Sequence, residues 1–430
     1  MDRDHAQHTS EALWERLFSR ENLFAALAQV QSNGGAPGVD GLTVEDLPNH
    51  LRAHWLSIRA KLETGSYQPS PVKRVEIPKP EGGVRLLGIP TALDRFLQTA
   101  LHQVLSPLFE PTFSAHSYGF RPGRSAHDAV KAAQGYIRQG YQWVVDIDLA
   151  RFFDTVHHDR LMARLGEVVK DRRILSLIRA YLKAGILVNG VVIDSEQGTP
   201  QGGPLSPLLS NIVLTELDRK LEERGLHFVR YADDCNIYVK SQRAAQRVMT
   251  STQHFIERRL RLTVNQAKSA VDKATKRKFL GFSFTWQRGV LRIRVAPQSL
   301  ERILRRVHDL TGRRQGQSLA TIRDILNPII IGWVGYFALS DAARNFEEVD
   351  SHLRRRLRQL AWVQWKTSAN RFRQLRSRGV SIADATLTVR TRKGPWRMSH
   401  TPALERALDK TFFLQLGLVS FLERYRLCRA

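Results

Sequence analysis

Three observations predict an α+β protein whose sheet-bearing first part is followed by a helical region. Short β segments broken by Pro and Gly recur before residue 297, as in VKRVEIPKP and GGVRLLGIP. Apolar strand patterns end in acids at VVDIDL and meet at RYADDC. Beyond Pro297 the apolar spacing is almost wholly helical to about Arg376.

In chain order, residues 10–30 read as one N-capped amphipathic helix, and a Gly-rich turn follows at Gly34–Gly41. A second helix is expected from Val44 to Leu62. A β-hairpin then turns at Lys79-Pro80-Glu81-Gly82-Gly83, and helical periodicity resumes over Thr91–Leu108. The segment Tyr141–Leu149 reads as a buried strand. Helices are expected over Asp159–Lys183, Pro207–Glu223 and Ala244–Leu260. Strands are expected either side of Ala232-Asp233-Asp234, then at Lys278–Phe284 and Gly289–Arg294. The composition shift at residues 290–297 is the best domain boundary, and a short basic tail follows the helices.

Composition narrows the function classes. The chain has 66 Lys and Arg against 41 Asp and Glu, a net charge of +25, with 42% hydrophobic residues. It is therefore not a disordered basic tail, and its length suggests two to four domains at about 100–200 residues each. Two cysteines, Cys235 and Cys428, exclude a disulfide scaffold and a four-cysteine zinc ribbon and fit a reducing cytoplasm. The fourteen histidines form no HExxH motif. No leader-like apolar segment opens the sequence, and no run approaches the ~18 apolar residues of a membrane span.

The positive charge is uneven. Residues 291–380 hold 18 Lys and Arg against 7 acids, and residues 381–430 hold 9 against 4. In HLRRRLRQLAWVQWK an apolar stripe of Leu353, Leu357, Leu360 and Ala361 predicts one packed face. Arg354, Arg355, Arg356 and Arg358 should occupy the others, with Trp362 and Trp365 close by. Guanidinium and indole groups so displayed suit phosphates and stacked bases, so nucleic acid is the expected partner.

Against this basic background two acid sites stand out. Asp146 and Asp148 share a strand face at period 2, and Asp233-Asp234 sit between two apolar strands. Carboxylates clustered on a sheet repel one another and call for a hard cation such as Mg2+.

The string YADD at Tyr231–Asp234, together with DLARFFD at Asp148–Asp154, resembles the paired active-site motifs of reverse transcriptases. More specifically, the chain resembles a group II intron-encoded reverse transcriptase/maturase of the short, endonuclease-lacking class. GAPGVDG (Gly35–Gly41), IPKPEGGVRLLGIP (Ile77–Pro90) and SYGFRPGRSAHDAV (Ser117–Val130) are similar to successive blocks of that family. So are GTPQGGPLSPLLSNIVLTELD (Gly198–Asp218), NQAKS (Asn265–Ser269), FLGFSF (Phe279–Phe284), IIGWVGYF (Ile330–Phe337) and KGPWRMSH (Lys393–His400).

The resemblance implies a right-hand polymerase fold, fingers and palm with an antiparallel sheet, followed by a helical thumb/maturase domain. It divides the chain into an N-terminal extension (1–56), fingers and palm (57–290), thumb (291–376) and a basic DNA-binding tail (377–430). It implies two Mg2+ ions, with Mn2+ as a substitute, held by Asp148, Asp233, Asp234 and the carbonyl of Leu149. Geometry alone does not exclude Asp146. Lys79, Arg85, Phe153, Gln201 and Lys268 are the implied nucleotide-binding residues: Lys79 and Arg85 on the triphosphate, Phe153 as the gate against a ribose 2′-hydroxyl. Gly202 and Gly203 would let backbone approach the nucleotide. Arg354, Arg355, Arg356, Arg358, Lys393 and Arg397 are the expected nucleic-acid contacts. Implied partners are intron RNA, an RNA template with DNA primer, dNTPs and target DNA, in a cytoplasmic ribonucleoprotein. A domesticated enzyme serving repair or phage defence, and a splicing-only maturase, are the alternatives.

Overall fold

The computed structural model describes residues 12–78, 84–188, 191–193, 202–312 and 316–430. Lys79 and Gln201, both expected at the nucleotide, lie outside them, and of Arg85 only the backbone is described. The chain divides into two compact units, Met1–Ala274 and Thr275–Ala430.

The first unit carries two four-stranded sheets. One joins β1 (Val72–Pro78) and β2 (Val84–Ile89) as an antiparallel hairpin, then β4 (Ile186–Val188) and β5 (Val191–Ile193), in the order β2-β1-β4-β5. The other combines β3 (Trp143–Ile147), β6 (His227–Tyr231), β7 (Asp234–Val239) and β8 (Ala270–Lys273) in the order β6-β7-β3-β8, with every pairing antiparallel. Strand alternation sorts this second sheet. Val145, Ile147, Phe228, Cys235 and Ile237 enter one core with Leu209, Ile212 and Leu217 of helix Ser206–Glu223 and Ala245 and Val248 of helix Gln242–Phe255. Burying each large aliphatic chain contributes about 1.5–3 kcal/mol, which fixes the register and sends Asp146 and Asp148 to the opposite face.

Local capping chemistry divides two helices that periodicity runs together. Helical residues 12–17 and the helix Arg20–Asn33 are separated by Ser19, whose side chain accepts from the Asn22 amide. Asp171 ends the stretch after Val168 and caps Arg172–Lys183 by accepting from the Arg173 and Ile174 amides. The strands β4, β5 and β8, three or four residues long, carry no alternation signal of their own.

The second unit opens with the hairpin β9 (Phe282–Gln287) and β10 (Val290–Val295) and is otherwise helical. The division lies upstream of the composition shift because this hairpin packs within the helical unit. The Phe282 ring lies 5.4 Å from Tyr336 and 5.1 Å from Phe337, and the Tyr336 hydroxyl donates to the Leu280 carbonyl. Beneath them Trp333 of helix Leu319–Phe337 meets Phe346 of helix Ala343–Gln364 and Phe421 of helix Phe421–Arg429. The last fifty residues are therefore not a tail. Asp350, buried in mid-helix, accepts from the amides of Phe421 and Leu422 and from the Ser420 hydroxyl, capping the final helix. Among the described residues no helix is long and apolar enough to cross a membrane.

Candidate active site

The β6–β7 hairpin closes on the pair Tyr231–Asp234, so Ala232 and Asp233 are the two residues of its turn. Ala232 has φ 57°, a left-handed conformation unusual for a residue with a Cβ. Arg230, with no exposed side-chain surface, holds it. Its Nη1 donates to the Ala232 carbonyl at 2.9 Å and to Asn211 Oδ1 at 2.9 Å. Its Nε and Nη2 form a bidentate pair with Asp218 at 2.7 and 2.5 Å, equally buried. Burial alone would lower the Arg230 pKa. The Asp218 carboxylate outweighs it and holds the pKa above its ordinary value.

The Gly119 backbone seals the turn from the other side. Its carbonyl accepts from Asn211 Nδ2 at 2.9 Å, and a Cβ there would stand 2.3 Å from the Ala232 nitrogen. Only glycine permits that approach. The segment before it runs beside β6: Arg230 N donates to the His116 carbonyl and Tyr118 N to the Arg230 carbonyl.

Asp148 follows the last residue of β3, whose ladder with β7 ends at Ile147–Cys235. Continuing that register places Asp148 beside Asp234, with Asp146 two residues back opposite Asn236. The Asn265–Ser269 turn supports Asp148 from the neighbouring edge. Asn265 Nδ2 donates to Asp148 Oδ2 at 2.9 Å, Asn265 N donates to its carbonyl, and the Asp148 amide donates to Ser269 Oγ. Lys268 Nζ lies 3.8 Å from the same Oδ2. Leu149 is buried and bridges to Val264. Arg151, at φ 47°, then turns the chain into Phe152–Thr155, where half-buried Phe153 meets Phe152 edge-to-face at 5.3 Å.

The donor chemistry suits a hard cation. Asp148, Asp233 and Asp234 offer carboxylate oxygens, all three are partly exposed, and the nearby cysteine is turned into the core. Among the described residues no three His, Cys, Asp or Glu side chains are drawn together as a cage. That is compatible with Mg2+, which takes one or two carboxylates and completes its shell with water and substrate phosphates.

Residues 77–284 match the family model for reverse transcriptase (RNA-dependent DNA polymerase), and residues 300–379 match that for the group II intron maturase-specific domain. The chain is 34% identical to Protein YkfC of Escherichia coli over 297 residues, 60% of this chain and 78% of that one. It is 36% identical to the group II intron-encoded protein LtrA of Lactococcus lactis over 219 residues, 51% of this chain but 36% of that protein. Nuclear intron maturase 1 of Arabidopsis thaliana is 28% identical over 204 residues, 35% of this chain and 29% of that protein. The chain belongs to the group II intron-encoded reverse transcriptases. Its turn 231–234 and Asp148 fall inside the matched polymerase region, and its Arg-rich helix inside the matched maturase region.

Within this reverse transcriptase Gly202 and Gly203 have close neighbours in the protein itself. Gly202, at φ 116°, lies against the Gly88 carbonyl, and Gly203 against the Gln98 side chain, each at 2.6 Å from a built Cβ. Their smallness joins the loop to β2 and to helix Ala92–Phe109.

Of the four arginines expected at nucleic acid in helix Ala343–Gln364, two are corrected. Arg356 and Arg358 are each 8% exposed. Arg356 donates to the His308 and Thr311 carbonyls at the end of helix Pro297–Leu310. Arg358 donates to the carbonyls of Ser399 and Leu408, which end two further helices. Each thus places positive charge at helix C-termini, where it complements the dipole. Trp362 and Trp365 are buried too. Arg354 and Arg355 are half-buried, Arg355 stacking 3.9 Å over Trp396, while Lys393 and Arg397 are exposed. The residues that sequence reasoning missed are Gly119, Asn211, Asp218, Arg230, Asn265 and Ser269. All but Arg230 lay inside recognised blocks, with nothing to show that they converge on one site.

Proposed function

We propose that this reverse transcriptase extends a DNA primer on an RNA template by attack of the 3′-hydroxyl on the dNTP α-phosphate. The observation that carries the reading is the convergence of Asp148 with the Asp233-Asp234 turn at one end of the β6-β7-β3 sheet. Asp148, Asp233, Asp234 and the Leu149 carbonyl would hold two Mg2+ ions, or Mn2+ in their place. When bound, these activate the attacking oxygen and neutralise the leaving pyrophosphate. Asn265 orients Asp148, and Lys268 supplies positive charge beside it. Lys79 and Arg85 contact the triphosphate, Gln201 the incoming nucleotide, and Phe153 excludes a 2′-hydroxyl. Arg354, Arg355, Lys393 and Arg397 bind the nucleic-acid backbone.

The same protein binds group II intron RNA, assists its splicing and inserts at target DNA as a cytoplasmic ribonucleoprotein. The extension, fingers and palm share this work with a thumb that begins at the hairpin β9–β10 and with the C-terminal region. The double substitution Asp233→Ala/Asp234→Ala tests the reading: cDNA synthesis is lost while intron splicing is retained. Persisting cDNA synthesis contradicts the assignment of the site.

A further inference from the structure

Phe120 is the one bulky aromatic among the described residues with positive φ, at 59°. Large side chains occupy this region only when their surroundings force them, and such strain gathers at functional sites. Here the surroundings are explicit. On one side Gly119 is pressed against Ala232 and bonded to Asn211. On the other, buried Arg121 donates to the Ser114 and Ser117 carbonyls and pairs with Glu110 at 2.7 Å. Phe120 is held between these anchors and cannot relax without releasing one of them.

Its ring finds no core. The side chain is 50% exposed, and its ring neighbour is Tyr231, the first residue of the catalytic turn, at 6.4 Å with the planes tilted by 43°. Glycine would meet the backbone requirement without strain and without a wet apolar ring. We propose that Phe120 is a primer–template contact of the polymerase site, its π-face packing on a base or sugar of the strand that lies over the turn. This rests on the polymerase reading. A strand reacting at Asp233 must pass this turn, and base–aromatic stacking tolerates any sequence, as a copying enzyme requires.

The test uses the full-length chain with Phe120→Gly and Phe120→Tyr. Three quantities are measured: melting temperature, affinity for a fluorescent RNA–DNA primer–template without dNTP, and KM for dNTP. Phe120→Gly should melt no lower than the wild type, because it relieves a left-handed φ. It should bind primer–template about 5- to 150-fold more weakly, the range for one lost stacking contact. Phe120→Tyr should restore binding. Unchanged primer–template affinity overturns the proposal. So does a fall in melting temperature with Phe120→Gly, which makes the ring structural, or a rise confined to the KM for dNTP. If the wild type fails to extend a primer at all, the polymerase reading fails instead, and the two failures are told apart.

Discussion

The two units expose charge of opposite sign at their candidate site residues and use buried charge in the same way. The first displays carboxylates, Asp148, Asp233 and Asp234, over a fully buried guanidinium, Arg230, neutralised by Asp218. The second displays Lys393 and Arg397 and elsewhere buries a carboxylate, Asp350, that caps the last helix. In both, buried charge sets backbone geometry, while the exposed charge is what we propose meets the substrate. The difference lies in what the buried group holds. Arg230 holds one turn whose Ala232 has positive φ. Arg356, Arg358 and Asp350 instead tie helix ends to one another.

This comparison is sharpest where the two kinds of charge are removed separately. Asp233→Asn should lower primer extension by about 10²–10³-fold or more, with the melting temperature unchanged. Arg230→Ala leaves Asp218 buried and unpaired, so it should destabilise the protein by about 3–5 kcal/mol, measured by chemical denaturation. Near-native stability would remove Arg230 from its place as the hub. In the second unit, Lys393→Ala/Arg397→Ala should flatten the log-log salt dependence of RNA binding by about 1.4, two phosphates' worth, without changing stability. Arg356→Ala should do the reverse, lowering stability and leaving the salt slope intact. Asp350→Ala should cost about 1–2 kcal/mol through loss of the cap.

The smallest effect concerns the cysteines. Burial, and then the Asp218 charge, push the Cys235 thiol well above its ordinary value, so its reactive thiolate stays suppressed as pH rises. A thiol reagent should therefore modify exposed Cys428 alone in the native protein, even at about pH 9, and both cysteines in denaturant. Native labelling of Cys235 would mean that the sheet beneath the turn opens.

The acids were legible because their neighbours are apolar strands. VVDIDL and the runs either side of Ala232-Asp233 can adopt one alternation, and it leaves the carboxylates at strand ends. Helix existence was legible for the same reason, from period alone. What stayed hidden depends on contacts between distant segments. Nothing local to Arg230 says that Asn211 and Asp218, on helix Ser206–Glu223, will aim and neutralise it. In HLRRRLRQL, Arg356 borders the apolar stripe, three residues after Leu353 and four before Leu360, but Arg358 lies off it and is buried as well. Only the helices ending at Thr311, Ser399 and Leu408 decide which arginines are covered. Gly202 and Gly203 left their packing against Gly88 and Gln98 unread for a related reason: a small residue signals close approach without naming what approaches.

The central claim is that Asp148 and the Asp233-Asp234 turn form a polymerising site. A primer-extension assay with purified protein, an RNA template, a DNA primer, dNTPs and Mg2+ tests it most directly. The wild type should synthesise template-directed cDNA, and Asp233→Asn, folded to the same melting temperature, should not. Equal extension by the two proteins, or none by the wild type, would contradict the account.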